Sequence, residues 1–348
     1  MDILIIKTSA LGDIAQAFLV IQYLKEKFPQ SNIDWVVEAS NAPLLEKHPD
    51  IRQVITVNTK TWRKHPLKKN TKNECRLFRK IINQTYYDVV FDLQGNLKSG
   101  LISSVVKAKD KVGYGFRSAP EFLNPLFHTT RFDPPKTLNA RLELLFLIQS
   151  YFQDTRFPKN NPSMLQITEH EEYQLDTLIT SNSQKILLCP GAAWRNKRLP
   201  TESLIKIAQQ LIPLAHLFIS WGNDREYVVA QRINSSLQSD SSTILPKLPF
   251  HVLQHLIKRM DLVIAMDSFP LHLAEPTQTP TFSLFGPSSA LKYHPLSENQ
   301  KWLQGECPYK IKFDKRCPHL RTCLTGACLR TFDESCVSEE IKKLLSNK

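Results

Sequence analysis

Short runs rich in Val, Ile and Phe alternate along the chain with longer stretches in which apolar residues recur at helical spacing. That alternation marks parallel strands covered by helices on both faces, because a strand buried on both sides carries no polar alternation of its own. In the first half the pattern predicts strands at 3–7, 33–38, 54–57, 88–92 and 112–114, with helices at 14–28, 77–84 and 138–152. The polar, proline-containing run QDTRFPKNNP at 153–162 lacks the residues for a buried face and reads as a linker. The pattern then restarts, with strands at 186–189, 217–221, 243–245, 262–265 and 281–285 and helices at 202–211, 226–236 and 250–258. The expectation is an α/β protein of two parallel-sheet domains, at 1–155 and 163–348. Ligands of open parallel sheets bind outside the carboxyl ends of the strands, so the site is expected in strand-end loops facing a cleft between the halves.

Composition narrows the class. A chain of 348 residues exceeds the usual single domain, and 42% hydrophobic with 22% charged residues excludes a disordered or fibrous chain. Lys and Arg number 45 against 33 Asp and Glu, a net charge of +12 that implies an acidic partner. The start, MDILIIK, carries an early acid and too short an apolar run for a signal peptide, so a cytoplasmic location is expected. Seven cysteines in such a chain read as reduced thiols or metal ligands rather than a disulfide framework. Five of them, Cys307, Cys317, Cys323, Cys328 and Cys336, crowd the C-terminal segment. Their spacings contain no C-x-x-C pair, so thiols in a compact segment are the first reading and a structural metal the second.

Four strand-end loops hold candidate chemistry. In Lys7-Thr8-Ser9-Ala10-Leu11-Gly12-Asp13, Gly12 permits a tight turn and Asp13 opens a helix. On this loop alone Asp13 reads first as an N-cap and second as a carboxylate that accepts a proton from a sugar hydroxyl. The second loop, Pro190 to Pro200, sets Arg195, Lys197 and Arg198 beside Gly191, a set suited to a diphosphate or, as an isolated charge run, to solvent. In the third, Ser220 to Glu226, a Gly turn places Glu226 near a helix start, where it can accept hydrogen bonds from ribose hydroxyls or simply favour the helix dipole; Trp221 reads as core. The fourth runs Asp267-Ser268-Phe269-Pro270-Leu271-His272: a strand ends in Asp-Ser, Pro270 falls in the first helical turn, and the helix start offers N–H groups to an anion. His272 either points the same way or packs in the core.

Basic residues also gather at Lys60, Arg63, Lys64, His65, Lys68, Lys69, Lys72, Arg76, Arg79 and Lys80, with Trp62 among them. Such a cluster fits an anionic lipid surface or a phosphorylated acceptor, the bland reading being a solvated helix face. Nucleic acid is not expected, because no helix-turn-helix, zinc-finger or RNP-like motif accompanies the charge. Gly113-Tyr114-Gly115 lacks the third glycine of a dinucleotide fingerprint.

Taken in order, these segments resemble the bacterial lipopolysaccharide heptosyltransferases, inverting ADP-heptose glycosyltransferases of GT-B architecture with two Rossmann-like domains. Residues 7–13 resemble the family's K-T-S-x-x-G-D opening, 34–38 its second strand, and Lys60-Thr61-Trp62-Arg63-Lys64 its basic acceptor-binding segment. Asp92-Leu93-Gln94-Gly95-Asn96-Leu97-Lys98-Ser99 is similar to its D-x-Q-G-x-x-K-S signature, and Asp267-Ser268 with His272 to its D-[ST]-G-x-x-H motif. The likeness spans nearly the whole chain and is strongest to the enzymes that add the first heptose to Kdo-lipid A.

The resemblance implies roles. Asp13 would be the general base and Lys197 the cation that stabilises departing ADP. Gly12, Glu226, Asp267, Ser268, Leu271 and His272 would hold the nucleotide sugar, and Lys60, Arg63, Lys64, Gln94 and Lys98 the Kdo-lipid A acceptor at the inner leaflet of the cytoplasmic membrane, by peripheral contact. No cofactor is implied; the absence of any D-x-D pair speaks against metal-dependent transfer, and closure of the domains would exclude water. One departure stands out: Phe269 occupies the place of the motif's glycine, which bears on φ and on approach to phosphate. It keeps two alternatives open, another nucleotide sugar or acceptor, and an inactive homologue that binds a precursor.

Overall fold

The computed structural model describes residues 1–159, 162–181, 183–237 and 240–346. The chain divides into two compact units, Met1–Gln166 and Ile167–Lys348.

Unit 1 holds strands β1 Asp2–Ile6, β2 Asn32–Glu38, β3 Gln53–Val57, β4 Tyr87–Asp92, β5 Ala108–Tyr114 and β6 Thr130–Phe132. Its helices are α1 Leu11–Gln16, α2 Phe18–Lys27, α3 Thr59–Lys64, α4 Lys69–Ile82, α5 Leu97–Val105 and α6 Ala140–Tyr151. The strands pair in the order β3-β2-β1-β4-β5-β6, every pair parallel. Ile3, Leu4, Ile5 and Ile6 are wholly buried because β1 lies mid-sheet with helices on both faces. The order reverses between β1 and β4, the switch point at whose strand ends open parallel sheets carry their ligands.

Unit 2 repeats the plan. Strands β7 Gln184–Cys189, β8 Ala215–Ile219, β9 Ser242–Ile244, β10 Leu262–Met266, β11 Thr281–Phe285 and β12 Gln300–Gln304 pair in parallel as β12-β11-β10-β7-β8-β9. The helices are α7 Glu169–Leu178, α8 Thr201–Leu211, α9 Asp224–Leu237, α10 Phe250–Lys258, α11 Phe269–Ala274, α12 Ala290–Tyr293 and α13 Glu334–Ser346. The reversal falls between β7 and β10, whose apolar residues share one core with α8 and α13.

Four expectations are corrected. The single helix at 14–28 is two, because Ala17 N–H bonds Ile14 O and Val20 N–H bonds Ala17 O, a tighter local winding that apolar spacing does not reveal. Strands β6 (TRF) and β12 (QKWLQ) escaped notice because edge strands are half-exposed and carry polar residues. Likewise α5, with three serines and a glycine, has weak helical propensity. The stretch at 153–162 is no loose tether, although Asn160 and Asn161 lie outside the described residues. Asp154 accepts from Tyr23 Oη at 2.9 Å and Lys27 Nζ at 2.7 Å, the Lys159 N–H donates to Glu26, and Pro158 is buried. Its polar residues are used in hydrogen bonds to unit 1.

Candidate functional site

In unit 2 the reversal point gathers the residues singled out from the second and fourth loops. Lys197 Nζ, at the end of a short 3₁₀ turn after β7, lies 2.5 Å from Asp267 Oδ2 at the end of β10. His272 Nε2, one turn into α11, is 3.4 Å from the other carboxylate oxygen, and the Ser288 hydroxyl, after β11, donates to Oδ2. Burial disfavours the charged carboxylate, but the His272 hydrogen bond and the Lys197 charge outweigh it and hold Asp267 below the usual carboxylate range. Asp267 thus orients a cation and an imidazole. Ser288 was not foreseen; its position in Gly286-Pro287-Ser288, beyond the next strand, obeys the same strand-end rule.

Glu226, in the first turn of α9, accepts from the Gly222 N–H at 2.8 Å and lies over Gly191. A Cβ at Gly191 would fall 2.4 Å from the Glu226 carboxyl carbon, so glycine is what lets the loops after β7 and β8 close on each other. Trp221, expected in the core, is half-buried and donates Nε1–H to Leu245 O at 2.8 Å. Arg195 is exposed, whereas Arg198 donates to Ala192 O at 2.7 Å.

The start of α11 differs from the sequence expectation. Ser268 is the N-cap residue but makes no capping bond, and its Oγ is buried without a partner. Leu271, named as a nucleotide contact, turns its side chain wholly into the core, which leaves only its N–H for that role; Pro270 has none. Phe269 needs no positive φ and packs edge-on against Phe250 of α10 at 4.9 Å, so the residue replacing the motif's glycine is accommodated by packing.

In unit 1 the loops after β1 and β4 are stitched together. Gln94 Oε1 accepts from the Thr8 N–H at 3.0 Å and the Ser9 N–H at 3.1 Å, while Lys7 Nζ donates to Leu93 O at 2.9 Å. Asp13 is not the N-cap: that position is Ala10, and Asp13 sits at the third helical residue with Oδ2 accepting the Ala10 N–H at 3.2 Å. Gly12 is beside it in the same helical turn. Asp92 is the hub below, accepting from Gln94 N, Gly95 N, Ser99 Oγ and Asn124 Nδ2, with His128 Nε2 at 3.2 Å. Although burial opposes its charge, the His128 hydrogen bond and its companions keep the carboxyl below its ordinary range. A fully satisfied buried carboxylate of this kind is scaffold.

Lys98 Nζ donates to Thr59 Oγ1 at 3.2 Å and lies 3.8 Å from Glu38 Oε1, which joins α5 to the start of α3. From α3, Lys60, Arg63 and Lys64 stand exposed, as do Lys69, Lys72, Arg76, Arg79 and Lys80 of α4. Glu74, the only acid between Asp50 and Asp88, turns to Trp62 Nε1 at 2.7 Å, and the outer face keeps its positive charge undiluted.

The sequence model of glycosyltransferase family 9 (heptosyltransferase) matches residues 75–322. The chain belongs to glycosyltransferase family 9. It is similar to lipopolysaccharide heptosyltransferase 1 of Campylobacter coli, 29% identical over 301 residues that cover 82% of this chain and 84% of that protein. Against lipopolysaccharide heptosyltransferase 1 of Escherichia coli K12 the identity is 26% over 301 residues, 83% of this chain and 88% of that protein. Among solved structures, E. coli heptosyltransferase WaaC with ADP superposes with a TM-score of 0.80 at 21% identity, covering 99% of this chain and 100% of that one. E. coli ADP-heptose lps heptosyltransferase II gives 0.75 at 21%, covering 100% and 99%. These likenesses share the fold, GT-B with two Rossmann-like units.

Within this family 9 chain the structure brings Lys197, Asp267 and His272 into one cluster and places Asp13 and Gln94 in another, while Lys60, Arg63 and Lys64 form an exposed face. Ser288 joins the first cluster, Gly191 lies against Glu226, and the Glu38–Thr59 pair supports Lys98. No described helix is long and apolar enough to cross a membrane.

Proposed function

We propose that this family 9 glycosyltransferase moves heptose from ADP-heptose to the Kdo-lipid A inner core of lipopolysaccharide, with inversion at the anomeric carbon and without a divalent cation in the transfer step. In this reading unit 2 binds the donor and unit 1 the acceptor. The observation that carries it is the Lys197–Asp267–His272 cluster at the reversal point of unit 2, where a fixed cation suits a diphosphate leaving group. Glu226 beside Gly191 is the ribose-hydroxyl acceptor, and the Ser268 hydroxyl, buried and unpartnered, is a donor for a phosphate oxygen.

The acceptor hydroxyl gives its proton to the Asp13 carboxylate as its oxygen forms the new bond to the anomeric carbon. The bond from that carbon to the phosphate oxygen breaks, its electron pair leaves with ADP, and the Lys197 ammonium offsets the charge that develops. Gln94 keeps the Asp13 loop in place through the Thr8 and Ser9 amides. Lys60, Arg63, Lys64 and Lys98 meet the anionic groups of the acceptor, and the cationic face of α3 and α4 supports peripheral contact with the inner leaflet from the cytoplasm.

The test is ADP release by the purified protein given ADP-heptose and Kdo-lipid A, in EDTA and with added magnesium, against acceptor-free and GDP-, UDP- and dTDP-sugar controls. Acceptor-dependent release from ADP-heptose alone, unchanged by EDTA, is the expected result. Release from another nucleotide sugar, or ADP-heptose binding without turnover, overturns the donor assignment or the enzymatic reading respectively.

A further inference from the structure

A single exposed apolar side chain is ordinary, but a group of them on one connected surface marks a place made to be covered. Leu97 and Leu101 of α5 and Phe116, Phe122, Leu123 and Leu126 of the loop after β5 are all exposed, Phe122 at 72% and Leu126 at 61%. Leu97 and Leu101 stand four residues apart and so share one face of the helix. Helix and loop are packed together. A Cβ on Gly100 of α5 would fall 2.4 Å from Phe127 Cδ2, the Leu97 N–H donates to Glu121 Oε2 at 2.7 Å, and the Phe116 and Phe122 rings are 5.7 Å apart.

The loop is held firmly from below. Asn124 Nδ2 donates to Asp92 Oδ2 at 2.7 Å and to Asn96 O at 2.9 Å, so the buried Asp92 hub fixes the turn that carries Leu123 and Leu126. Pro120 and Pro125 flank Phe122 and Leu123 and restrict the backbone on either side. Apolar side chains kept in water on a rigid turn are preorganised for an external partner, since little freedom is left to lose on binding.

Charge and position say what that partner is. Lys98 adjoins Leu97, Arg117 adjoins Phe116, and the Arg131 guanidinium lies 5.7 Å from the centre of the Phe116 ring. The acids nearby are occupied by backbone amides: Glu121 by that of Leu97, and Asp133 by that of Arg117 at 3.1 Å. Lys98 Nζ, on Thr59 Oγ1, joins this rim to the cations of α3. Because the strands of unit 1 are all parallel, the loops after β1, β3, β4 and β5 leave the sheet at one end. The Asp13 loop, α3, the start of α5 and the apolar turn therefore share an edge. A second copy of the chain would set this cationic rim against itself. An anionic leaflet offers phosphates to the rim and hydrocarbon to the side chains within it.

We infer that this edge of unit 1 enters a bilayer, with Phe122, Leu123 and Leu126 seated between headgroups and acyl chains of an anionic leaflet and Lys98, Arg117 and Arg131 on its phosphates. The inference rests on the reading that the acceptor is a lipid, and it adds insertion to the electrostatic contact of α3 and α4. A lipid-borne hydroxyl then meets Asp13 at the membrane-facing end of the sheet, without leaving the leaflet.

The experiment is co-sedimentation of the full chain with vesicles of phosphatidylethanolamine and phosphatidylglycerol, against phosphatidylcholine vesicles, at ~0.1 M and ~1 M salt, where the screening length falls from about 10 Å to about 3 Å. Binding to the anionic vesicles is expected, with a measurable part surviving high salt. Phe122→Ser/Leu123→Ser/Leu126→Ser, at unchanged Tm, is expected to bind about ten-fold more weakly at low salt and not at all at high salt, because buried apolar area is the salt-resistant part of such binding. Should the triple variant not fold, hydrogen exchange of the native chain decides: vesicles slow the amides of 116–127. Equal binding by a folded variant, native binding abolished by high salt, or slowed exchange confined to α3 and α4 overturns insertion. So does binding confined to vesicles that contain Kdo-lipid A, which assigns the surface to acyl chains of the acceptor, or a native dimer that the triple substitution dissolves. The test vesicles carry neither donor nor acceptor, so salt-resistant binding without sugar transfer defeats the proposed function alone, and transfer without it defeats this inference alone.

Discussion

Lys197 Nζ and Asp267 Oδ2, seventy residues apart in sequence, meet at 2.5 Å across the reversal point of the second sheet. The pair is largely buried, and His272 and Ser288 occupy more of the same carboxylate. Removing one member of a buried pair leaves the other charge uncompensated, which costs about 3–5 kcal/mol. Asp267→Ala is therefore expected to lower the stability of unit 2 by that order, read from denaturant unfolding. Lys197→Met is expected to lower kcat about 100-fold or more, as loss of a leaving-group cation does, with ADP-heptose still bound. A Lys197→Met enzyme with unchanged kcat would remove Lys197 from the chemistry.

Asp13 sits at the third residue of α1, where its carboxylate accepts the Ala10 amide. Asp13→Asn should cost about 1 kcal/mol of stability at most, retain ADP binding by calorimetry and abolish acceptor-dependent ADP release. If stability collapses or turnover survives, capping is its whole role.

Gly191 lies under Glu226 with no room for a methyl group. Gly191→Ala is expected to displace the Glu226 carboxylate and raise the donor KM about ten-fold, an effect of the size of one lost hydrogen bond to a charged group. Glu226→Gln should reproduce most of that rise. A normal donor KM in both variants argues against ribose recognition here.

Burial lowers the His48 imidazole from 6.5 to about 4, with the Asp50 charge opposing only in part; its Nδ1 accepts the Asp50 N–H at 3.2 Å. A depressed histidine stabilises the fold fully above its unfolded value, and that contribution is lost as pH falls from about 6.5 towards 4. Unfolding free energy should therefore be about 2 kcal/mol lower at pH 5 than at pH 7 from this group. His48→Gln should flatten that part of the pH profile; an unchanged slope in the variant assigns the titration to another group.

Lys60, Arg63 and Lys64 project from α3 into solvent. Replacing all three with alanine should raise the acceptor KM about ten-fold and weaken its dependence on salt, with the donor KM unchanged, since exposed charges act through screened long-range attraction. Equal losses toward a neutral acceptor analogue would mean that the face is merely solvated.

Much of this was legible in the chain. Val- and Ile-rich runs mark the central strands, and the loops after four of them contain Asp13, Lys197, Glu226 and Asp267. Strand burial and turn chemistry are short-range properties, written in neighbouring residues, so a sequence declares them directly. Edge strands β6 and β12, the break at Ala17 and the third-residue position of Asp13 were not declared, because each depends on exposure or on a hydrogen bond shifted by one residue.

What only the tertiary structure decided is which distant residues meet. The strand order, in which β10 pairs with β7 rather than with β9, brings Asp267 to Lys197 and sets Ser288 beside them. The folding of residues 305–333 turns four irregularly spaced cysteines toward one cavity, and packing against Phe250 rather than local propensity settles Phe269. A local pattern specifies an element and its buried face; it carries no information about the partner that covers that face, and chemistry built from two loops exists only once the sheet has placed them side by side.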